Sequence, residues 1–260
     1  MKSFLRRLLH LLGFNINYKV NNTRILKLIQ SIQPVYVGLD LVRLGASKDS
    51  GYLLPNDFEG IEACFSPGCD NKFQFEEDCF KKEMAVFIAD KTVKKENVPQ
   101  KFNFIEKFIN PISNDDLISM DKWVTNSIES KKSDLILQMD IEGDEYINFL
   151  NISDQLLKRF RIIVVEFHHL EQLSNPFFYT VASNVFSRLI ENHTCVHIHP
   201  NNSSKIVTIN GIKIPPLIEV TFLRNDRCKV RDKRTDFPHK LDADCVEGLK
   251  SVKLPQIWYK

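Results

Sequence analysis

The chain has 260 residues, of which 43% are hydrophobic and 26% charged, a balance typical of a globular protein with a sizeable core. Its 35 basic and 33 acidic residues leave a net charge of +2, which does not favour a general nucleic-acid binder. The six cysteines are irregularly spaced and form no CxxC pair. We therefore expect reduced thiols in a cytoplasmic protein rather than a disulfide scaffold.

Residues 1–14 (MKSFLRRLLHLLGF) place apolar side chains at helical spacing and basic ones off that stripe. The segment is too short for a transmembrane helix, and no small-residue cleavage site follows it. We expect a helix packed on the domain; the alternative is a basic amphipathic helix in peripheral contact with an anionic membrane. A second helix is predicted at Thr23–Gln33, before Pro34. The expected organisation is an N-terminal helical appendage, residues 1–35, and one domain, residues 36–260.

The remaining chain alternates strand-like and helical patterns after a hairpin predicted at Val42–Pro55. The predicted strands are Ile61–Ser66, Ala85–Ala89, Phe102–Phe108, Leu135–Met139, Arg161–Phe167, Cys195–His199 and Ile218–Leu223. The predicted helices are Lys72–Lys82, Asp115–Glu129 with Asn114 as N-cap, Tyr146–Leu150 and Pro176–Glu191. This alternation indicates an α/β fold with a mainly parallel, doubly wound sheet. Because residues 200–216, which join the last two predicted strands, carry no helical signal, we expect the sheet to have an antiparallel edge strand.

Three predicted strands end in residues that suit ligand binding: Gly68 after the first, Asp90 after the second and Asp140 after the fourth. Parallel strands bring their carboxyl ends to one edge of the sheet, where ligands bind. Gly68 allows close backbone approach to a ligand carboxylate or phosphate. Asp90 lies about 20 residues beyond Gly68, the spacing of an acid that binds ribose hydroxyls. A solvated loop acid is the alternative for Asp90.

The segment Asp140–Glu145 (DIEGDE) concentrates acidic residues where a buried strand turns into a helix. Asp140 is a candidate site residue, whereas Glu142 also suits the first turn of the helix. The fifth strand ends in Glu166, His168 and His169; alternation puts the first two on one side and His169 on the other. A histidine beside Asp140 is a candidate general base, and a structural histidine is the alternative.

A metal site is not predicted. His197 and His199 share a strand face and could complete a set with Asp140, but no compact ligand spacing supports one.

The motifs resemble, in their order, FkbM-type S-adenosylmethionine-dependent methyltransferases. LILQMDIEGDEYINFL resembles the D-x-E-G-x-E signature of that family, and VRLGASKDSGYLLP resembles its upstream R-x-G…D-G-G-Y element. FSPGCDNKFQFEEDCF, VVEFHHLE and FPHKLDADC resemble its first strand–loop–helix, its E-F-H strand and a C-terminal F-P-H-x-L-D stretch. The resemblance covers roughly residues 42–260. The chain departs from the pattern at Ser50, where glycine is common, and in the S-P-G-C-D loop, which is not glycine-rich.

The resemblance implies a Rossmann-like methyltransferase that uses S-adenosyl-L-methionine and methylates a hydroxyl of a sugar, glycan or related small molecule. It implies cofactor binding through Asp49, Gly51, Gly68, Cys69, Asp70, Asp90 and Asp140, and catalysis through Asp140, Glu142, His168 and His169. A divalent metal held by Asp140 and Glu142 is an alternative way to activate the hydroxyl. A nicotinamide-dependent dehydrogenase and a non-catalytic binding module in glycan biosynthesis are the rival functions.

Overall fold

The computed structural model describes residues 19–47, 50–69 and 71–260. The helix predicted within residues 1–14 and the candidate site residues Asp49 and Asp70 lie outside these ranges. Within them, no helix combines the length and the apolar character that crossing a membrane would need.

A seven-stranded sheet forms the centre of the fold, which confirms the predicted α/β class. Numbered along the chain, the strands are β1 Val35–Tyr36, β2 Leu41–Gly45, β3 Gly51–Pro55, β4 Ile61–Pro67, β5 Ala85–Ala89, β6 Asn103–Ile105, β7 Phe108–Ile109, β8 Leu117–Ile118, β9 Asp134–Met139, β10 Phe160–Phe167, β11 His193–Pro200, β12 Val207–Ile209, β13 Ile212–Ile214, β14 Ile218–Arg224 and β15 Asp232–Lys233. The central sheet has the order β11-β14-β10-β9-β4-β5-β6. Strands β10, β9, β4, β5 and β6 are parallel, so the carboxyl ends of β4, β5 and β9 meet at one edge.

The sheet has an antiparallel edge strand, as predicted: β11 lies at the edge and is antiparallel to its neighbour β14. Strand β14 is antiparallel to both β10 and β11 and lies second from the edge, so that β11 runs parallel to β10. The side chains of β14 explain this position: Ile218, Val220, Phe222 and Leu223 are all fully buried, which suits a strand covered on both sides. The preceding loop, predicted to be irregular, contains the β12–β13 hairpin.

Helices cover both faces of the sheet and enclose two apolar cores. In chain order they are α1 Asn22–Ser31, α2 Gln74–Lys81, α3 Met120–Ser127, α4 Glu145–Asn151, α5 Asp154–Leu157 and α6 Pro176–Asn192. One core contains the buried residues of α1 and of α3 to α6, and the other those of α2 and the β2–β3 hairpin. Helix α1 therefore packs within the main core, and the division of the chain at residue 35 stays a prediction.

Two predicted elements differ from the structure because loop chemistry interrupts them. The segment predicted as one helix from residue 115 contains β8 and then the shorter α3, whose N-cap is Ser119. Asn114 instead accepts hydrogen bonds from the backbone of Asp116 and Leu117, which forms a turn. The strand predicted at residues 102–108 is divided into β6 and β7.

Candidate functional site

Gly68 brings the ends of β4, β5 and β9 into direct contact. It has a φ of +80°, and a Cβ atom there would lie 1.6 Å from the carbonyl oxygen of Asp140. Its N–H donates to the carbonyl of Ala89 at 3.1 Å, and the N–H of Asp140 donates to the carbonyl of Pro67 at 3.3 Å. Only glycine fits this position, and the predicted meeting of three strand ends is present.

Asp90 follows β5 and organises the loop after β4. Its Oδ2 accepts from the backbone N–H of Cys69 at 2.9 Å, and its Oδ1 accepts from the N–H and the hydroxyl of Thr92, each at 2.7 Å. A cavity of about 470 Å³, which we call the Asp90 cavity, opens beside it. The walls include Gly68, Cys69 and Asp90 together with the apolar side chains of Phe108, Ile109 and Ile141.

Glu145 holds the acidic turn after β9 in place. Its side chain is completely buried, and its Oε1 accepts hydrogen bonds from the N–H groups of Ile141 and Gly143, both at 3.1 Å. The same oxygen lies 3.1 Å from Nδ1 of His168. The carboxylate thus fixes both the turn and the imidazole ring. The sequence analysis did not assign Glu145 to the site.

His168 faces Asp140 and Glu142 across the end of the sheet. Its Nε2 lies 4.0 Å from Oδ1 of Asp140 and 3.5 Å from Oε2 of Glu142. Burial opposes the charged form of the ring, but the hydrogen bond and charge of Glu145, with the charges of Asp140 and Glu142, raise the pKa of His168 overall. Glu142 has a φ of 57° and a side chain that is 89% exposed, so it forms the outer rim of this group.

Asp140 and Glu166 place two carboxyl groups side by side at the ends of β9 and β10. Burial, together with the charge and hydrogen bond of Glu166, raises the pKa of Asp140 well above its usual range. Glu166 accepts a hydrogen bond from the side-chain amide of Asn201 at 2.6 Å. Among the described residues, Oδ1 of Asp140 has no hydrogen-bond partner although it is buried.

A further buried acid, Glu76 of α2, lies under the same edge and was not predicted. It is 3% exposed and is hydrogen-bonded to the hydroxyl of Ser66, whose oxygen also lies 2.6 Å from Oε1 of Gln138. Burial raises the pKa of Glu76 to about 7, although the Ser66 hydrogen bond opposes the rise. Its Oε2 is buried without a hydrogen-bond partner in the described part of the chain.

These groups surround a cavity of about 330 Å³, which we call the acidic cavity. Its charged and amide side chains include Glu76, Gln138, Asp140, Glu142, Glu166 and His168. Lys72 also lines it, so among the described residues four carboxyl groups face one ammonium and one imidazole. Gly68, Cys69, Asp140 and Glu142 line both this cavity and the Asp90 cavity, which makes the two adjacent.

Some predicted site residues lie elsewhere. His169 has a side chain that is 51% exposed and a φ of 63°, and its Nδ1 lies 3.6 Å from Glu171, away from the acidic cavity. Gly51 lies at the turn of the β2–β3 hairpin and allows the close approach of its two strands, because a Cβ there would lie 2.0 Å from the carbonyl oxygen of Ala46. Nε2 of His197 donates a hydrogen bond to Oδ1 of Asp242 at 2.8 Å, in a cluster under the C-terminal segment.

Asp140, Glu142 and His168 also have the donor types of a divalent-cation site. Each offers one ligand atom, and the three atoms lie within 4.8 Å of one another. This set differs from the one with His197 and His199 considered above.

Comparisons with known proteins identify no family for the chain. No protein-family model and no curated protein matches its sequence. Among solved structures, the N-methyltransferase NodS from Bradyrhizobium japonicum WM9 is 12% identical, with a TM-score of 0.34 over 78% of this chain and 93% of NodS. A SAM-dependent methyltransferase from Archaeoglobus fulgidus is 13% identical, with a TM-score of 0.35 over 64% of this chain and 87% of that one. Likenesses this weak carry no argument about activity, which must come from the site itself.

Proposed function

We propose that the protein is an S-adenosylmethionine-dependent methyltransferase of FkbM type that methylates a hydroxyl of a sugar, glycan or related small molecule. The observation that supports this most is the pair of adjacent cavities at the carboxyl edge of the sheet. One has Asp90 and apolar walls, and the other has an excess of carboxyl groups. A nucleoside joined to a cationic amino-acid part matches this division of chemistry.

The residues present fit the cofactor. Asp90 would accept a hydrogen bond from a ribose hydroxyl through Oδ2, which has a lone pair beyond its bond to Cys69, whereas Oδ1 already accepts two hydrogen bonds from Thr92. The apolar walls would hold the adenine ring. Gly68 and Cys69 would lie against the methionine part of the cofactor. The ammonium of that part would donate a hydrogen bond to Oε2 of Glu76, which has no partner among the described residues. When bound, the cofactor supplies an electrophilic methyl group.

The protein's own task is to position a hydroxyl and remove its proton. His168 is a better candidate for the proton acceptor than His169. Glu145 binds its Nδ1, which leaves Nε2 directed at Asp140 and Glu142. Asp140 and Glu142 would orient the hydroxyl and stabilise the imidazolium that forms. A positioned base contributes about 10²–10⁴-fold, and orientation contributes up to ~7–11 kcal/mol in favourable systems.

The rival functions fit the site less well. A dehydrogenase needs a glycine-rich loop after its first strand to bind pyrophosphate. The loop after β4 has one glycine, Gly68, and its backbone packs against the carbonyl of Asp140. A non-catalytic module would not need the strand-end acids Asp90, Asp140 and Glu142, all of which are present. A divalent cation at Asp140, Glu142 and His168 would instead lower the pKa of the hydroxyl itself. Full activity in strong chelator would rule out that route.

Thermal unfolding with different nucleotides tests the cofactor class. At 100 times its dissociation constant, a ligand stabilises the folded state by about 2.7 kcal/mol, which corresponds to roughly 5–10 °C for a domain of this size. We expect that shift with S-adenosylmethionine and with S-adenosylhomocysteine, and none with NAD. A shift with NAD alone would favour the dehydrogenase.

A further inference from the structure

A further cavity lies beside the acidic cavity and has the opposite charge. It has a volume of about 790 Å³ and is bounded by the C-terminal segment, the β12–β13 hairpin and the loop after β11. Four lysines line it, Lys205, Lys213, Lys250 and Lys253, and no aspartate or glutamate of the described residues does. We call it the basic cavity.

The four lysines are free of ion pairs within the part of the chain that the structure describes. All are exposed, and none lies within ion-pair distance of a described carboxylate. Other lysines of the chain do pair: Lys81 lies 2.8 Å from Asp78, and Lys91 and Lys101 bind Asp116 and Glu77. Four such lysines around one cavity give it a positive potential, which favours an anionic ligand.

The basic cavity adjoins the acidic cavity. Ser203 lines both it and the acidic cavity, next to Asn201, which bonds Glu166. The C-terminal segment forms a wall of both cavities: Cys245 and Val246 line the acidic cavity, and residues 249–256 line the basic cavity. Asn202 holds this segment by two hydrogen bonds to the backbone of Val246, at 2.8 and 2.9 Å.

The floor of the basic cavity is apolar, which suits the faces of sugar rings. Phe237, Pro238, Leu254 and Tyr259 contribute to it, and Phe237 and Tyr259 have ring centroids 4.9 Å apart. Its volume is sufficient for more than one sugar ring with a charged substituent.

From these observations we propose that the basic cavity binds the anionic part of the methyl acceptor, a sugar that carries a phosphate or a carboxylate. The proposal rests on the proposed function, because it places the acceptor between the two cavities. The cationic cofactor then occupies the acidic side and the anionic acceptor the basic side, with the reacting hydroxyl extending past Ser203 toward His168. Opposite charges of the two cavities keep each ligand from the other's position.

Ligand-observed NMR titrations test this with four probes: glucose, glucose 1-phosphate, glucuronate and inorganic phosphate. We expect glucose 1-phosphate or glucuronate to bind at least about tenfold more tightly than glucose, with an affinity that falls as salt rises. The two anionic sugars distinguish phosphate from carboxylate, and inorganic phosphate shows how much of the affinity needs the sugar.

Paired variants show where the anion binds. Replacing Lys250 and Lys253 together by glutamine should weaken binding of the preferred anionic sugar by about tenfold. The matched control replaces Lys94 and Lys132, which are exposed and line none of the cavities described, and should leave the affinity unchanged. Equal affinity for glucose and both anionic sugars, or equal loss in the two double variants, would overturn the proposal.

A parallel titration with S-adenosylmethionine separates this proposal from the proposed function. Cofactor binding without any preference for the anionic sugars would reject the acceptor class alone. Lysine-dependent binding of an anionic sugar without cofactor binding would reject the methyltransferase and retain the basic cavity as an anionic-sugar site.

Discussion

Replacing Glu145 by alanine should destabilise the protein strongly, because one buried carboxylate supports three partners. Its Oε1 bonds the N–H groups of Ile141 and Gly143 and Nδ1 of His168, all at 3.1 Å. Hydrogen bonds to a charged group contribute about 1.5–3 kcal/mol each, and water that enters the partly buried turn recovers some of this. We expect a net loss of about 3–5 kcal/mol in the free energy of unfolding.

Urea unfolding followed by circular dichroism measures this loss directly. Glu145→Gln is the informative intermediate: its amide oxygen can still accept from all three donors, but the change removes the charge that strengthens these bonds and puts an NH₂ group where Oε2 has no hydrogen-bond partner among the described residues. It should lose about 1–2 kcal/mol. The neighbouring Asp144 is exposed and makes no side-chain capping bond, so Asp144→Ala should change stability by about 0.5 kcal/mol. Equal stability of Glu145→Ala and Asp144→Ala would refute the role of Glu145.

Three further predictions concern other positions at this edge of the sheet. Gly68→Ala should lower stability by about 4 kcal/mol or more, measured by urea unfolding, because its Cβ would lie 1.6 Å from the carbonyl oxygen of Asp140; a near-neutral effect would contradict the geometry. Because the pKa of Glu76 is raised from 4.5 to about 7 in the folded protein, its ionisation costs stability as pH rises from 4.5 to 7, and above pH 7 the cost is constant. Glu76→Gln should therefore reduce the loss of stability between pH 5 and pH 8 by about 2 kcal/mol, and an unchanged pH profile would show that burial does not perturb this carboxyl group. Once an acceptor is found, His168→Gln should lower kcat by about 10²–10⁴-fold and His169→Gln by less than threefold; equal losses would remove the assignment of the base.

The sequence predicted the strand ends well because their signal is local. A buried apolar run that stops at Gly68, Asp90 or Asp140 is visible in one short segment, and parallel topology then brings the three together. Alternation also predicted that His168 and His169 face different sides, and they do, but both follow the end of β10 and the left-handed backbone of His169 turns its side chain away.

What the sequence did not reveal depends on contacts between distant segments. Ser66, Glu76 and Gln138 come from β4, α2 and β9, and none stands out in its own element. The position of β14 between β10 and β11 required knowing that the β12–β13 hairpin returns the chain to the sheet. The basic cavity likewise combines lysines from segments about 50 residues apart, which carry no motif.

The central claim is that the Asp90 and acidic cavities together bind S-adenosylmethionine, and isothermal titration calorimetry tests it most directly. We predict saturable one-site binding with a micromolar dissociation constant. Asp90→Ala should abolish it, whereas the Lys250→Gln, Lys253→Gln double variant should keep it. An absence of heat at several temperatures, with folded protein at high concentration, would contradict the account and leave the non-catalytic module as the leading interpretation.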